Sequence, residues 1–268
     1  MPIKGEKLKK VTRLSYGAGF IGVVWFIVAS PQQIWSIFLT RQLGATSSQL
    51  GVIVGLTQIV AVLHLSSIFF YSQLKRIKTF WIITAVIHRL LSLGMAFAAF
   101  FVYKGGDKSL AIIIVASSTV LSLALSNTSA AGWFTWMSSL IPLDSRASFF
   151  GKRSAINQMA NVIFFFSITW ILDHFDNQIL IVYGIIYMAA SLLGILDILL
   201  HMGIPELPQK KKKTAFTLKQ MFAPLKNKTF LYFCFVLGFS IMSINVTAPF
   251  IAPWIVSGSQ GLGAPTIW

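Results

Sequence analysis

Seven apolar runs, each long enough to cross a bilayer, constrain this chain more than any other feature. They cover roughly 16–39, 49–71, 80–103, 109–141, 155–172, 178–200 and 230–256. About 20 apolar residues span the hydrocarbon layer as a helix. Lipid offers no partner for free peptide groups, so segments of this length are expected to be helical. The chain is 56% hydrophobic and 11% charged, with a mean hydropathy of +0.75. Soluble domains are nearer a quarter charged. The expected fold class is all-α and integral to a membrane: a six-helix bundle followed by a seventh transmembrane helix.

The first run follows Lys4, Lys7, Lys9, Lys10 and Arg13. A basic start could signal secretion, but signal-peptide apolar regions span about 7–15 residues. This run is longer and lacks a small-x-small cleavage site, so it reads as an uncleaved first span. The single Cys234 lies inside an apolar run, which excludes a disulfide framework or a thiolate metal site.

Between the fourth and fifth runs, the stretch 132–161 reads GWFTWMSSLIPLDSRASFFGKRSAINQMAN. The apolar run stops at Ile141-Pro142, and 142–153 reads as a tight basic loop before re-entry. With the N-terminus inside, the inner segments hold eighteen of the 22 Lys and Arg residues. They include Lys75, Arg76 and Lys78, then Arg146, Lys152 and Arg153, and the connection 201–228 with Lys210, Lys211, Lys212 and Lys213. The outer loops hold Arg41, Lys104 and Lys108, and Arg89 lies within a span. Such a partition follows the positive-inside rule and places the N-terminus in the cytoplasm of a multi-pass plasma (inner) membrane protein. It also argues against a nucleic-acid partner, despite the net charge of +15, because the basic residues are split among loops.

The expected organisation is therefore a cytoplasmic N-terminus (1–15), a six-helix bundle (16–200), a basic cytoplasmic connection (201–228) and a further helix (229–268). Leu43-Gly44-Ala45 and Leu262-Gly263-Ala264 occupy matching places just past the first and seventh runs. The seventh run thus reads as the first helix of a second copy.

Two segments carry a family resemblance: LGATSSQLGVIVGL, entering the second run, and IPLDSRASFFGKRSAI, between the fourth and fifth. With the six-helix count and the restart, they resemble the major facilitator superfamily of secondary transporters. Its members have two six-helix halves. The resemblance covers the chain as an N-terminal half plus one helix. One departure stands out: YSQLKRIK keeps the basic residues of the family's helix 2–3 loop but lacks its Gly and Asp. A charge relay through that Asp is not expected here. Arg76 and Lys78 remain available to helix termini or lipid phosphates.

The resemblance implies a small-solute transporter working by alternating access, driven by a coupling ion or by the solute's own gradient. It implies that a remaining C-terminal half or a second chain is needed, the chain being read as truncated. A rival reading is a non-transporting scaffold or receptor subunit on the same helices. No HExxH, CxxC, Walker A or GxSxG motif is present, so neither an enzyme nor a cofactor is expected.

Candidate site residues divide into two groups. Gln32, Gln33, Gln58, Asn127, Asn161 and Asn245 are neutral polar residues within spans; they either line a cavity or join helices. Arg89 is near mid-span, where a buried charge points to function. With no carboxylate in the first four spans to meet it, it either binds an anionic solute or pairs with Asn127 or backbone carbonyls. Asp144, Arg146, Lys152 and Arg153, with Arg76 and Lys78, form the candidate cytoplasmic latch, or else they only orient and cap the loop. His64 and His88 could relay protons, or simply bond neighbouring helices. Trp133 and Trp136 could stack on a solute or form an interfacial belt. The lysine run at 210–213 suits anionic lipid.

Overall fold

The computed structural model describes residues 3–65, 67, 71, 74, 76–207 and 222–256. Lys75, the lysine run at 210–213 and the Leu262-Gly263-Ala264 echo lie outside these residues. The helices are α1 (Gly5–Ala29), α2 (Gln33–Ile37), α3 (Ser47–Ala61), α4 (Ile77–Leu91), α5 (Leu93–Tyr103), α6 (Lys108–Leu140), α7 (Leu143–His174), α8 (Ile179–Met202) and α9 (Lys228–Val256). Among the described residues, seven helical stretches are long and apolar enough to cross a membrane. The chain is thus all-helical in these residues and built to pass a bilayer repeatedly. We call the end where α1 begins proximal and the opposite end distal.

Three boundaries differ from the sequence expectation. The first span starts at Gly5, so much of the basic N-terminal segment is already helical. It then breaks at Ser30, where φ −85 and ψ 152 are extended. Pro31 causes this, since a proline disfavours helical geometry in the residue before it. The chain resumes in α2 and a π-turn over Phe38–Gln42.

The expected loop at 142–153 is the largest correction. Only Ile141 and Pro142 interrupt the chain, and α7 begins at Leu143. Ile141 is extended (φ −81, ψ 129), again as the residue before a proline requires. Asp144 occupies the first turn of α7, where a carboxylate meets the positive end of the helix dipole. Asp144, Arg146, Lys152 and Arg153 therefore ride on helix, not loop. Charge at these positions looked like a loop because these early turns keep much of their surface exposed.

The third span is hitched at Ser92, which parts α4 from α5. Its hydroxyl is taken up by Trp25 Nε1 (2.9 Å), Ser191 Oγ (2.8 Å) and the Arg89 carbonyl (2.6 Å). At the start of α3 a capping box joins Thr46 and Gln49, satisfying two amides left open at the helix start.

Helix α1 lies along α8 and α7, α4 and α5 along α6 and α8, and α3 along α6. The packed interior has two clusters. The distal one gathers Trp35, Phe38, Leu39, Tyr183 and Tyr187 around the alanine-rich faces of α5 and α6. The proximal one gathers Trp81, Trp136, Met137, Leu140 and Phe149. Helix α9 touches α2 and α3, chiefly through Phe250. Most of its residues are exposed.

Candidate functional site

A layer of charge lies between the two clusters. Arg89 on α4 forms an ion pair with Asp197 on α8, Nη2 to Oδ2 at 3.3 Å, both side chains about a tenth exposed. The partner comes from the sixth span, and the alternative of pairing with Asn127 is not what the structure shows. Asp197 is the sole carboxylate inside the run 178–200, and that signal could have found it.

Two close approaches make the pair possible. A Cβ on Gly194 would sit 2.7 Å from Arg89 Cδ, and one on Gly22 would collide with Asp197 Oδ2. Helix α1 therefore presents bare backbone to the carboxylate. The Arg89 guanidinium lies 3.9 Å from the Trp25 ring centre, and a cation held over an indole is stabilised by the ring's quadrupole.

One turn below, His201 continues the network. Its Nδ1 lies 2.9 Å from the Asp197 carbonyl and 3.2 Å from Asp197 Oδ1. The shorter contact is the hydrogen bond, and Oδ1 is left without a hydrogen-bond partner among the described residues. Trp133 Nε1 donates to His201 Nε2 at 3.0 Å. An indole N–H can only donate, so Nε2 carries a lone pair and the proton sits on Nδ1. In this arrangement His201 is neutral. The tryptophan is thus a tautomer lock rather than a member of an interfacial belt. Trp136, fully buried, donates to the Pro205 carbonyl at 2.9 Å.

Arg153, a latch candidate from sequence, turns inward instead. Its guanidinium stacks 4.2 Å from the Trp133 ring centre, and no acid lies within ion-pair distance of it among the described residues. Two adjoining cavities share Phe26, Arg89, Arg153 and Asp197 in their walls. One, about 310 Å³, adds Gly19, Gly22, Asn157 and Asn161. The other, about 260 Å³, adds Trp25, His88, Trp133 and His201.

Of the neutral candidates, the structure brings Asn161 to this cavity alongside Arg89. Gln32, Gln33, Gln58 and Asn245 are exposed, and Asn127 is half-buried on α6 outside both cavities. Asn245 donates to the Ile241 carbonyl of its own helix at 2.9 Å. Depth along a span is readable from sequence; the direction a side chain faces is set by packing. His64 is exposed just past the end of α3, whereas His88 is buried edge-on to Trp25 at 5.0 Å between ring centres.

Lys78 does form a clamp at the proximal end. Its Nζ donates to the carbonyls of Met202 (2.8 Å) and Ile204 (2.7 Å), capping α8. Glu206 accepts the Lys78 backbone N–H at 2.9 Å, at the start of α4. Each residue thus serves the open end of the other's helix. Asp144, Lys152 and Arg76 are exposed, and Arg146 reaches only the Ile141 carbonyl at 3.4 Å. No family model, curated protein or solved structure matches this chain.

Proposed function

We propose that the chain is part of a secondary transporter of the major facilitator type, moving a small solute by alternating access. The observation that carries the reading is the charged cavity in the middle of the six-helix bundle. Ionisable groups inside a membrane protein are costly and cluster on solute or proton paths. Volumes of about 310 and 260 Å³ are at the small end for ligand cavities. A second helical bundle, on the same polypeptide or another, completes the transport path, and the exposed faces of α3 and α9 are the surfaces it covers.

On this reading the proximal end lies in the cytoplasm, and the distribution of Lys and Arg along the chain supports it. In a Cys234→Ser background, cysteine at Ser148 should resist an impermeant thiol reagent applied to intact cells, and cysteine at Lys104 should label. The reverse pattern would remove the orientation and weaken the family reading with it. Function is tested by reconstituting the chain together with its completing bundle in liposomes and measuring uptake of labelled carboxylates, sugars and amino acids. Binding of a solute without flux would point instead to a receptor or scaffold role.

A further inference from the structure

We propose that the mid-bundle cavity binds a small monoanionic hydroxycarboxylate, held between Arg89 and Arg153 with its hydroxyl on Asn157. This rests on the transporter reading only in placing the ligand on a solute path; the binding chemistry stands on the cavity itself.

Charge balance is the first argument. Arg89 and Arg153 bring two positive charges to the shared wall, and Asp197 brings one negative charge. His201 adds none, because Nε2 accepts from Trp133. His88 is the remaining titratable group lining the cavities, and protonation there would only add to the excess. Lys78 and Glu206 are engaged with each other's helix ends at the proximal rim. One positive charge is therefore left over in a poorly solvated place, and an uncompensated charge there is expensive. A single anion removes the excess, whereas a dianion would reverse it.

Unused donors are the second. Among the described residues, Arg89 Nε and Nη1 and Arg153 Nε are buried without a hydrogen-bond partner. Indoles cover a face of each guanidinium, which leaves the N–H edges as the reactive rims. Planar carboxylates match such edges better than spherical ions do. Asn157 Oδ1 is likewise buried without a partner, and it lines the same cavity one helical turn from Arg153. A buried acceptor asks for a donor, and a hydroxyl beside the carboxylate supplies it. A zwitterionic amino acid would also offer a donor, but its zero net charge leaves the excess standing.

The test uses the purified protein in detergent, in chloride-free buffer, with sodium lactate as probe. Lactate should raise the melting temperature with increasing concentration, as a ligand that binds the folded state must. Propionate should act more weakly, and lactamide and chloride should have little effect. Without ligand, Arg153→Gln should melt no lower than the parent, since it removes an unpaired charge, yet bind lactate about 30-fold more weakly. Gly19→Ala supplies a second variant: its Cβ would lie 2.5 Å from Asn157 Oδ1, so the preference for lactate over propionate should shrink. No lactate response, an equal response to lactamide or chloride, or an undiminished response in Arg153→Gln would overturn the proposal. Lactate binding without flux, in liposomes that hold the chain together with its completing bundle, would instead leave the site standing and remove the transporter reading. Flux of a neutral solute without lactate binding would do the opposite.

Discussion

The two halves of the bundle are held together by different means. Distally, Phe38, Leu39, Tyr183 and Tyr187 are almost fully buried and pack on alanines at 98, 99 and 111. A single indole bond, Trp35 Nε1 to Thr119 Oγ1 at 3.0 Å, ties α2 to α6 there. Proximally, α8 is fixed by a succession of polar contacts through Asp197, His201, the Ile204 carbonyl and the Pro205 carbonyl. Hydrocarbon packing gains little from choosing a protein over a lipid neighbour, beyond better fit. Polar contacts have no lipid substitute, so they fix register, and a competing polar ligand can exchange them. The lesson is that helix register in lipid is set by the half whose contacts lipid cannot replace.

The largest expected effect breaks the proximal half. Asp197→Ala leaves Arg89 buried and unpaired, and should cost about 3–5 kcal/mol of stability, read as a fall in unfolding midpoint in detergent. Adding Arg89→Gln should recover most of the loss. A loss that the second change does not recover would show that Asp197 acts by packing, and the contrast between the halves would fail.

A distal counterpart should be smaller and additive. Leu39→Ala should cost about 2 kcal/mol, below the upper range for soluble cores because the unfolded reference remains in lipid. Combining it with the Asp197 change should give a simple sum, since separate networks act independently.

The spans were largely legible in the chain, because apolar length is a signal that packing does not have to decode. The start of α7 was not. Its early turns carry Asp144 and Lys152 on exposed positions and Arg146 on a half-buried one, and charge there mimics a loop. The charged layer was half legible. Arg89 announced itself, yet Asp197 is only meaningful once α8 is laid against α4. Asn157, Trp25 and the two glycines of α1 joined the site through their facing, which no local pattern in the sequence specifies.

Two smaller changes sharpen the comparison. Lys78→Met should uncap α8 and cost about 1–2 kcal/mol, seen as faster amide hydrogen exchange around residues 201–206 and little change at the distal end. Tyr187→Phe should be neutral or stabilising by up to about 1 kcal/mol, because the Tyr187 hydroxyl is buried without a partner and its removal clears that debt. A loss above that size would mean the distal core hides a polar contact of its own.

The Arg89–Asp197 pair also sets a timetable for biosynthesis. The two residues are 108 positions apart, and ribosomes add about 5–20 residues per second. The third span therefore leaves the ribosome roughly 5–20 seconds before its counter-charge exists. Until then its arginine has Trp25 and the headgroup layer to turn to, but no counter-charge within the bundle. We expect the third span to settle in its final position only once the sixth has been made. Nascent chains halted before Asp197 should leave a glycosylation tag beside Lys104 poorly modified, and chains halted well beyond His201 should modify it fully. Equal modification at both lengths would mean that the third span inserts on its own.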